Sequence, residues 1–453
     1  MKMNPPLLGF YSGVSLQELG RRLRIGEFTS VELVRKSLEA YELINPLVNA
    51  FTFVATDLAY EAASMADKEL AAGIDRGPLH GIPVAVKDNI FTARIPTTMG
   101  SAHYKGYIPD NDAECVQRLK TAGAVILGKT TTHEFAFGPT GDCAAQGPTL
   151  NPWDTSRMAG GSSCGSAVAV ASGIVPIAIG TDTGGSIRIP AALTGVVGFK
   201  PSIGRISTEG VFPLSKTLDH LGILANSVED VALVLREISS EKKTLDSNVY
   251  VEPEELKLGW VSPETFTLTD PVVIDSVFQC ADALSGGNIS GASDVVKLAG
   301  ELRRAFGLIQ KSEAYEVHSE RVLYHPELYQ IEVLERLLAA QSVKGWEYVQ
   351  AMHIRQSLQQ SMLKIFQEFD LLVMPTVPIL APKLYKRALE ISGSSVHVRD
   401  ALLSLTSPWN LLGLPAISIP CGLVEGLPIG LQLIAPLGKD DFLLEIANKF
   451  FTH

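Results

Sequence analysis

The chain has 453 residues, 46% of them hydrophobic and 19% charged, with 39 Gly and 26 Pro. That apolar fraction supplies a sizeable core and excludes wholesale disorder. A net charge of −11, from 38 Lys+Arg against 49 Asp+Glu and with no basic run, argues against nucleic acid as a direct partner. Five widely spaced cysteines, at 115, 143, 164, 280 and 421, form no CxxC or Cys/His pair with metal-site spacing. Reduced thiols in a cytoplasmic protein, with no metal, are expected.

In chain order, Asn4-Pro5-Pro6 stands where a signal peptide needs an unbroken apolar run. The first eighty residues read as helices. Ser15-x-x-Glu18 and Thr29-x-x-Glu32 both fit the capping box, and Asn45-Pro46 is expected to stop the second helix. Ile82 to Val86 reads as a buried strand, Asp112 to Ala122 as a helix, and Gly123 to Gly128 and Ile174 to Ile179 as further strands. Met158 to Thr181 carries no charge, but its glycines, serines and Pro176 break it too often for a membrane helix, so no membrane is expected as a partner. Residues 238–310 are less apolar and read as a variable insertion. Helices resume over Glu332 to Gln341 and Trp346 to Phe369, and Leu371 to Pro375 reads as a strand. Helices alternating with wholly apolar strands predict an α/β fold: one large domain with a central mixed sheet covered on both faces. Within 1–453 the expected parts are N-terminal helices (1–80), a catalytic core (81–235), a helical variable region shaping the pocket (238–350) and a C-terminal part completing the sheet (351–453).

Chemistry concentrates in four places. Lys87 follows the apolar run Val84-Ala85-Val86; buried there, it would lose its charge easily and become a base. In Gly160-Gly161-Ser162-Ser163-Cys164-Gly165-Ser166, P-loop spacing fails because Ser166 stands where lysine is needed. The Gly161-x-Ser163-x-Gly165 elbow lacks a preceding strand. Gly180-Thr181-Asp182-Thr183-Gly184-Gly185-Ser186-Ile187-Arg188 sets consecutive glycines before a serine, leaving backbone N–H groups able to converge on an anion. The segment from Asn410 to Gly422 and on to Gln432 reads as sheet core and turns with little chemistry of its own. Leu218-Asp219-His220 places a carboxylate beside a histidine, but adjacent residues seldom face each other.

Order and spacing together resemble the amidase signature family: Lys87, Gly-Gly-Ser162-Ser163, and Asp182-Thr-Gly-Gly-Ser186-Ile-Arg188. The resemblance implies Lys87, Ser162 and Ser186 as the catalytic residues, Ser186 being the nucleophile, with a cis bond between Gly161 and Ser162. It implies an oxyanion hole from the N–H groups of Thr183, Gly184, Gly185 and Ser186, with Ser163, Asp182 and Arg188 in support. No cofactor is needed.

Glutamine-using A subunits of this family carry an acidic residue shortly before a Pro-x-Asn segment, where this chain reads Leu402-Leu403-Ser404-Leu405-Thr406-Ser407-Pro408-Trp409-Asn410. On that ground the sequence favours a stand-alone amidase acting on a small-molecule carboxamide with an uncharged aryl or aliphatic acyl group, as a monomer or homodimer. The glutaminase subunit of a heteromeric tRNA-dependent amidotransferase and a biuret or ureide hydrolase are the alternatives. Arg355 reads as a solvated helix-face charge or, failing that, an anchor for a substrate carboxylate.

Overall fold

The computed structural model describes residues 7–240 and 256–452. Its strands are β1 (Phe51–Val54), β2 (Pro83–Lys87), β3 (Val125–Thr130), β4 (Ile177–Asp182), β5 (Val197–Lys200), β6 (His220–Ala225), β7 (Leu258–Trp260), β8 (Ile289–Gly291), β9 (Leu371–Pro375), β10 (Ala388–Ile391), β11 (Ser394–His397), β12 (Ala416–Val424) and β13 (Leu427–Ile434). Eleven of them form one sheet in the order β1-β3-β2-β4-β6-β5-β12-β13-β9-β7-β8, and β10 and β11 form a separate hairpin. The sheet is mixed: β2 runs parallel to β3 and β4, β7 parallel to β8 and β9, and the remaining pairs are antiparallel. The single α/β domain expected from the sequence is what forms.

Strand alternation explains the two layers. Val84, Val86, Ile177 and Ile179 point into one apolar cluster, whereas Ala85 and Ala178 point into another on the opposite face. That second face carries small residues because the wholly buried helix Cys164–Ala171 lies on it. Gly180 continues the small-residue row: a Cβ there would stand 2.6 Å from Ile187 Cδ1 and 2.7 Å from Ser163 Oγ. Close approach of helix and strand therefore depends on glycine at this position.

Four local expectations need correction. Phe51–Val54 is a strand inside the stretch read as purely helical, recruited by antiparallel pairing with β3. Pro46 does not stop its helix, which runs from Ser30 to Val48 and ends at Asn49 in the left-handed conformation. A proline removes one donor, and so near the helix end packing of Ile44 and Val48 outweighs that loss. The region expected to be helical over 238–350 also supplies β7 and β8, because short strands can join an existing edge without a strong sequence pattern of their own. Of the two expected capping boxes Thr29–Glu32 forms in full, whereas Glu18 turns its carboxylate to Arg21 and Arg22.

The glycine at 180 gives a direct check on this packing. Gly180→Val should lower stability by about 1–3 kcal/mol, read as a lower urea midpoint without a change in slope.

Candidate active site

Because β2 and β4 are parallel neighbours with Val86 opposite Ile179, their C-terminal ends lie side by side. Lys87, the last residue of β2, is completely buried there. Its Nζ lies 2.7 Å from Ser162 Oγ and 2.7 Å from Thr181 Oγ1. Burial pushes the Lys87 ammonium down to about 7, against a smaller upward pull from Cys164, Asp182 and Asp219. A lysine so placed is neutral for much of the time at physiological pH and accepts a proton readily.

Ser162 reaches Lys87 from a tightly folded loop. The Gly161–Ser162 peptide is cis, the Gly161 N–H donates to Pro139 O, and Ser162 O accepts the His133 N–H at 3.1 Å. Ser163 couples this loop to its neighbour. Its N–H donates to Ser186 O at 3.1 Å, and its hydroxyl donates to Thr181 O and accepts the Thr181 N–H. Ser186 is buried to 6% exposure just before the helix Arg188–Thr194.

Asp182 and Arg188 brace the glycine loop from below, both fully buried. Asp182 Oδ1 accepts the Gly185 N–H at 2.7 Å and Oδ2 the Ile187 N–H at 3.1 Å. Arg188 uses all of its N–H groups: two on Asp182, one on Thr406 O, one on Gln432 Oε1 and one on Asn410 Oδ1. Burial alone would raise the Asp182 carboxyl, but Arg188, Lys200 and Asn410 hold it far below the usual range. One expected oxyanion donor is thereby corrected. The Gly185 N–H already belongs to Asp182, so of the four expected donors Thr183, Gly184 and Ser186 are left.

Several residues at this site escaped the sequence reading. Thr181 is a second partner for Lys87 and also accepts from Asn89 Nδ2 at 3.2 Å. Thr406 Oγ1 donates to Gly184 O at 2.7 Å. The C-terminal segment read as poor in chemistry holds Arg188 through Asn410 and Gln432. Their signal was available as buried amides in an otherwise apolar strand and helix, which must find partners. Asp219 and His220 part as expected: Thr183 Oγ1 donates to Asp219 at 2.5 Å, while His220 Nδ1 lies 2.7 Å from Leu218 O. Burial raises the Asp219 carboxyl to about 6, although Thr183, Leu214 and Ser215 hydrogen-bond to it. Cys164 is fully buried with its thiol raised by burial, which makes it a packing residue. Arg355 is neither solvated nor free: it is buried and donates to Thr217 O beside Glu313 and Tyr348. Among the described residues no His, Cys, Asp and Glu group has the makings of a metal site, and no helix is long and apolar enough to cross a membrane.

A mixed sheet with a buried lysine at a strand end, and two buried serines on the loops packed beside it, suits an enzyme that cleaves amide C–N bonds. The chain belongs to the amidase signature family: the family model described as Amidase matches residues 32–293 and 270–444. It is 35% identical to the A subunit of the glutamyl-tRNA(Gln) amidotransferase of Symbiobacterium thermophilum, over 96% of this chain and 95% of that one. Among solved structures, an amidase aligns with a TM-score of 0.89 and 34% identity, covering 97% of this chain and 99% of that one. A chain from a vestigial protein complex that bears on the evolutionary origins of an s-triazine catabolic enzyme aligns with a TM-score of 0.90 and 31% identity, over 97% and 98%.

These relatives overturn the expectation of a stand-alone amidase for uncharged aryl or aliphatic amides. Curated relatives at 32–35% identity along 96% of the chain bear the name of the amidotransferase subunit. The expectation drew on one stretch, residues 402–410, for the charges of the pocket. The fold brings carboxylates from elsewhere: Asp219 onto Thr183, and Glu313 onto Ser215 and Thr217 of the adjoining loop.

Two measurements follow from the geometry. Removing one member of the buried ion pair, by Arg188→Met, should cost about 3–5 kcal/mol of stability, seen as a lower denaturant midpoint. With neutral Lys87 as the expected proton acceptor, kcat/KM should rise with pH and reach half its plateau near 7. A profile already flat at pH 6 would show that Lys87 is not the titrating base.

Proposed function

We propose that the chain is the glutamine-hydrolysing A subunit of a heteromeric tRNA-dependent amidotransferase, releasing ammonia for use by its partners. The observation that carries this reading is a buried, readily neutralised lysine hydrogen-bonded to Ser162 in a chain related end to end to such subunits. Small-molecule amide cleavage is common to the whole family; the heteromeric setting comes from these relatives.

In this reading Ser186 Oγ attacks the carboxamide carbon while Ser162 takes its proton and passes one of its own to Lys87. The oxyanion develops against the N–H groups of Thr183, Gly184 and Ser186, and each such donor contributes about 3–4 kcal/mol to the transition state. Collapse of the tetrahedral intermediate expels the nitrogen, which takes a proton back from Lys87 through Ser162 and leaves as ammonia. The acyl group remains esterified to Ser186. Water, deprotonated by the same relay, then attacks the ester and frees the acid and Ser186. Ser163, Asp182 and Arg188 hold the two serine loops in register and do not exchange protons in this scheme. No metal or organic cofactor enters any step.

The test is ammonia release from glutamine by the chain purified alone and by the chain co-expressed with candidate partner subunits. Glutamine hydrolysis in the assembly, lost about 10⁴- to 10⁶-fold in Ser186→Ala and in Lys87→Ala, is the expected result. Failure of the chain to associate with such partners, or an assembly inert toward glutamine, would reject the reading.

A further inference from the structure

Between Asp182 and Ser186 the chain reads Thr183-Gly184-Gly185, so Thr183 supplies the one side chain by which that stretch can be held. β4 and β6 are antiparallel, with Asp182 opposite His220 as the last pair of the ladder. One step further out Thr183 stands opposite Asp219, and a side-chain bond takes over from the ladder: Thr183 Oγ1 donates to Asp219 Oδ1. Asp219 Oδ2 is occupied separately, by the N–H groups of Leu214 at 2.9 Å and Ser215 at 3.0 Å. Burial raises this carboxyl to about 6, and Thr183, Leu214 and Ser215 pull it back. The loop that carries Asp219 does not need Thr183 for its own shape. The N–H groups of Leu218 and Asp219 both donate to Ser215 O. Glu313 accepts the Ser215 hydroxyl and both the N–H and the hydroxyl of Thr217. What the Thr183 bond orders is the glycine loop.

The Cα of Thr183 joins two peptide units, and each carries one of the N–H groups proposed to receive the oxyanion. The first, between Asp182 and Thr183, is fixed at its far edge, because Asp182 O accepts Asn410 Nδ2 at 2.9 Å. In a trans peptide the N–H points opposite to the carbonyl, so Asn410 aims the Thr183 N–H away from itself. The second, between Thr183 and Gly184, turns about the Thr183 ψ bond, and Gly184 has no side chain to stop it. The bond to Asp219 holds the residue at the hinge of both units. Further along the loop, Thr406 Oγ1 on Gly184 O and Asp182 on the Gly185 N–H take over.

We infer that Asp219 is a positioning residue for the hydrolysis: through the Thr183 hydroxyl it sets the direction of the Thr183 and Gly184 N–H groups toward the developing oxyanion. The inference rests on the proposed attack by Ser186 and adds the group that keeps its oxyanion site preorganised; it holds for any amide substrate. Donors aimed in advance stabilise the transition state more than donors that must turn during the reaction. Asp219 acts through Thr183 and exchanges no proton.

The experiment measures glutamine hydrolysis by the full chain, in its partner assembly where one forms. Wild type is compared with Thr183→Val, Thr183→Ser, Asp219→Ala and the Thr183→Val/Asp219→Ala double variant. Thr183→Val keeps the side-chain volume and leaves Asp219 bonded to Leu214 and Ser215, so the neighbouring loop stays intact. Its kcat should fall about 10- to 100-fold with KM within about twofold, because a misdirected donor loses part of what a missing one would. Thr183→Ser, which keeps the hydroxyl, should recover most of the loss, and the double variant should be no slower than either single one. A purely structural role would lower the unfolding midpoint and leave kcat of the folded protein within about twofold. That result overturns the inference, as do a change confined to KM or losses that multiply in the double variant.

The rate at which a fluorophosphonate labels Ser186, followed by mass spectrometry, is read in parallel and needs no amide. Ser186 Oγ attacks phosphorus, fluoride leaves, the proton passes through Ser162 to Lys87, and the phosphoryl oxygen takes the place of the oxyanion. An equal fall in labelling rate for Thr183→Val and Asp219→Ala supports the inference. If glutamine is not cleaved while that fall is seen, the glutaminase reading is rejected and the inference stands. Unchanged labelling overturns it. A wild type that neither cleaves glutamine nor takes the label rejects Ser186 as nucleophile, and both readings fall.

Discussion

The active-site region depends on one interaction, the fully buried pair of Asp182 and Arg188. Two charges removed from water are stabilising only when every remaining donor and acceptor is satisfied. Here the guanidinium places each N–H on a partner drawn from the loop before it, from the helical turn at Asn410 and from β13. The carboxylate in turn holds the N–H groups of Gly185 and Ile187 on either side of Ser186. The pair therefore converts a glycine-rich, intrinsically permissive segment into a rigid loop, and ties it to elements more than two hundred residues away. Gly185 is necessary to that arrangement: its φ is +132°, and a Cβ would fall 2.1 Å from Thr406 Oγ1.

The same sheet that places these charges also sets the chemistry of Lys87. A lysine at the end of an exposed strand would keep its proton to high pH. Parallel strands on both sides of β2, and the helix Cys164–Ala171 on one face, exclude water from Lys87, and desolvation lowers its affinity for a proton. Acid–base character is thus a consequence of the strand order rather than of any residue bonded to the amine. Ser162 and Thr181 then use the amine as a hydrogen-bond centre, joining β2, β4 and the serine loop at one point.

Elements with strong local patterns were legible. Leu371 to Pro375 is a strand with the limits its apolar run and terminal proline imply, and the Thr29–Glu32 capping box forms in full. Elements whose stability comes from pairing were not. Phe51–Val54 and the short β7 and β8 have little alternation and exist because an edge was waiting for them. The helix through Pro46 shows the reverse case, where a local stop signal yields to packing near the helix end.

Lys87, Ser162, Ser163, Asp182, Ser186 and Arg188 could be singled out from the sequence because loops that must bend tightly beside reactive groups need particular residue types at fixed spacing. The same spacing carries the resemblance to amide hydrolases. What joins those loops lies outside any local window. Thr181 against Lys87, Asn410 and Gln432 against Arg188, Asp219 against Thr183, and the redirection of the Gly185 N–H to Asp182 are contacts that depend on how strand order and loop folding set these groups together. The charge of the pocket belongs to this second kind. A stretch rich in leucine from 402 to 405 suggested an uncharged substrate, whereas the carboxylates of Asp219 and Glu313 come to the region from separate elements. Residue types record which chemistry is available, but electrostatics acts through space, so which charges meet is decided by the tertiary structure.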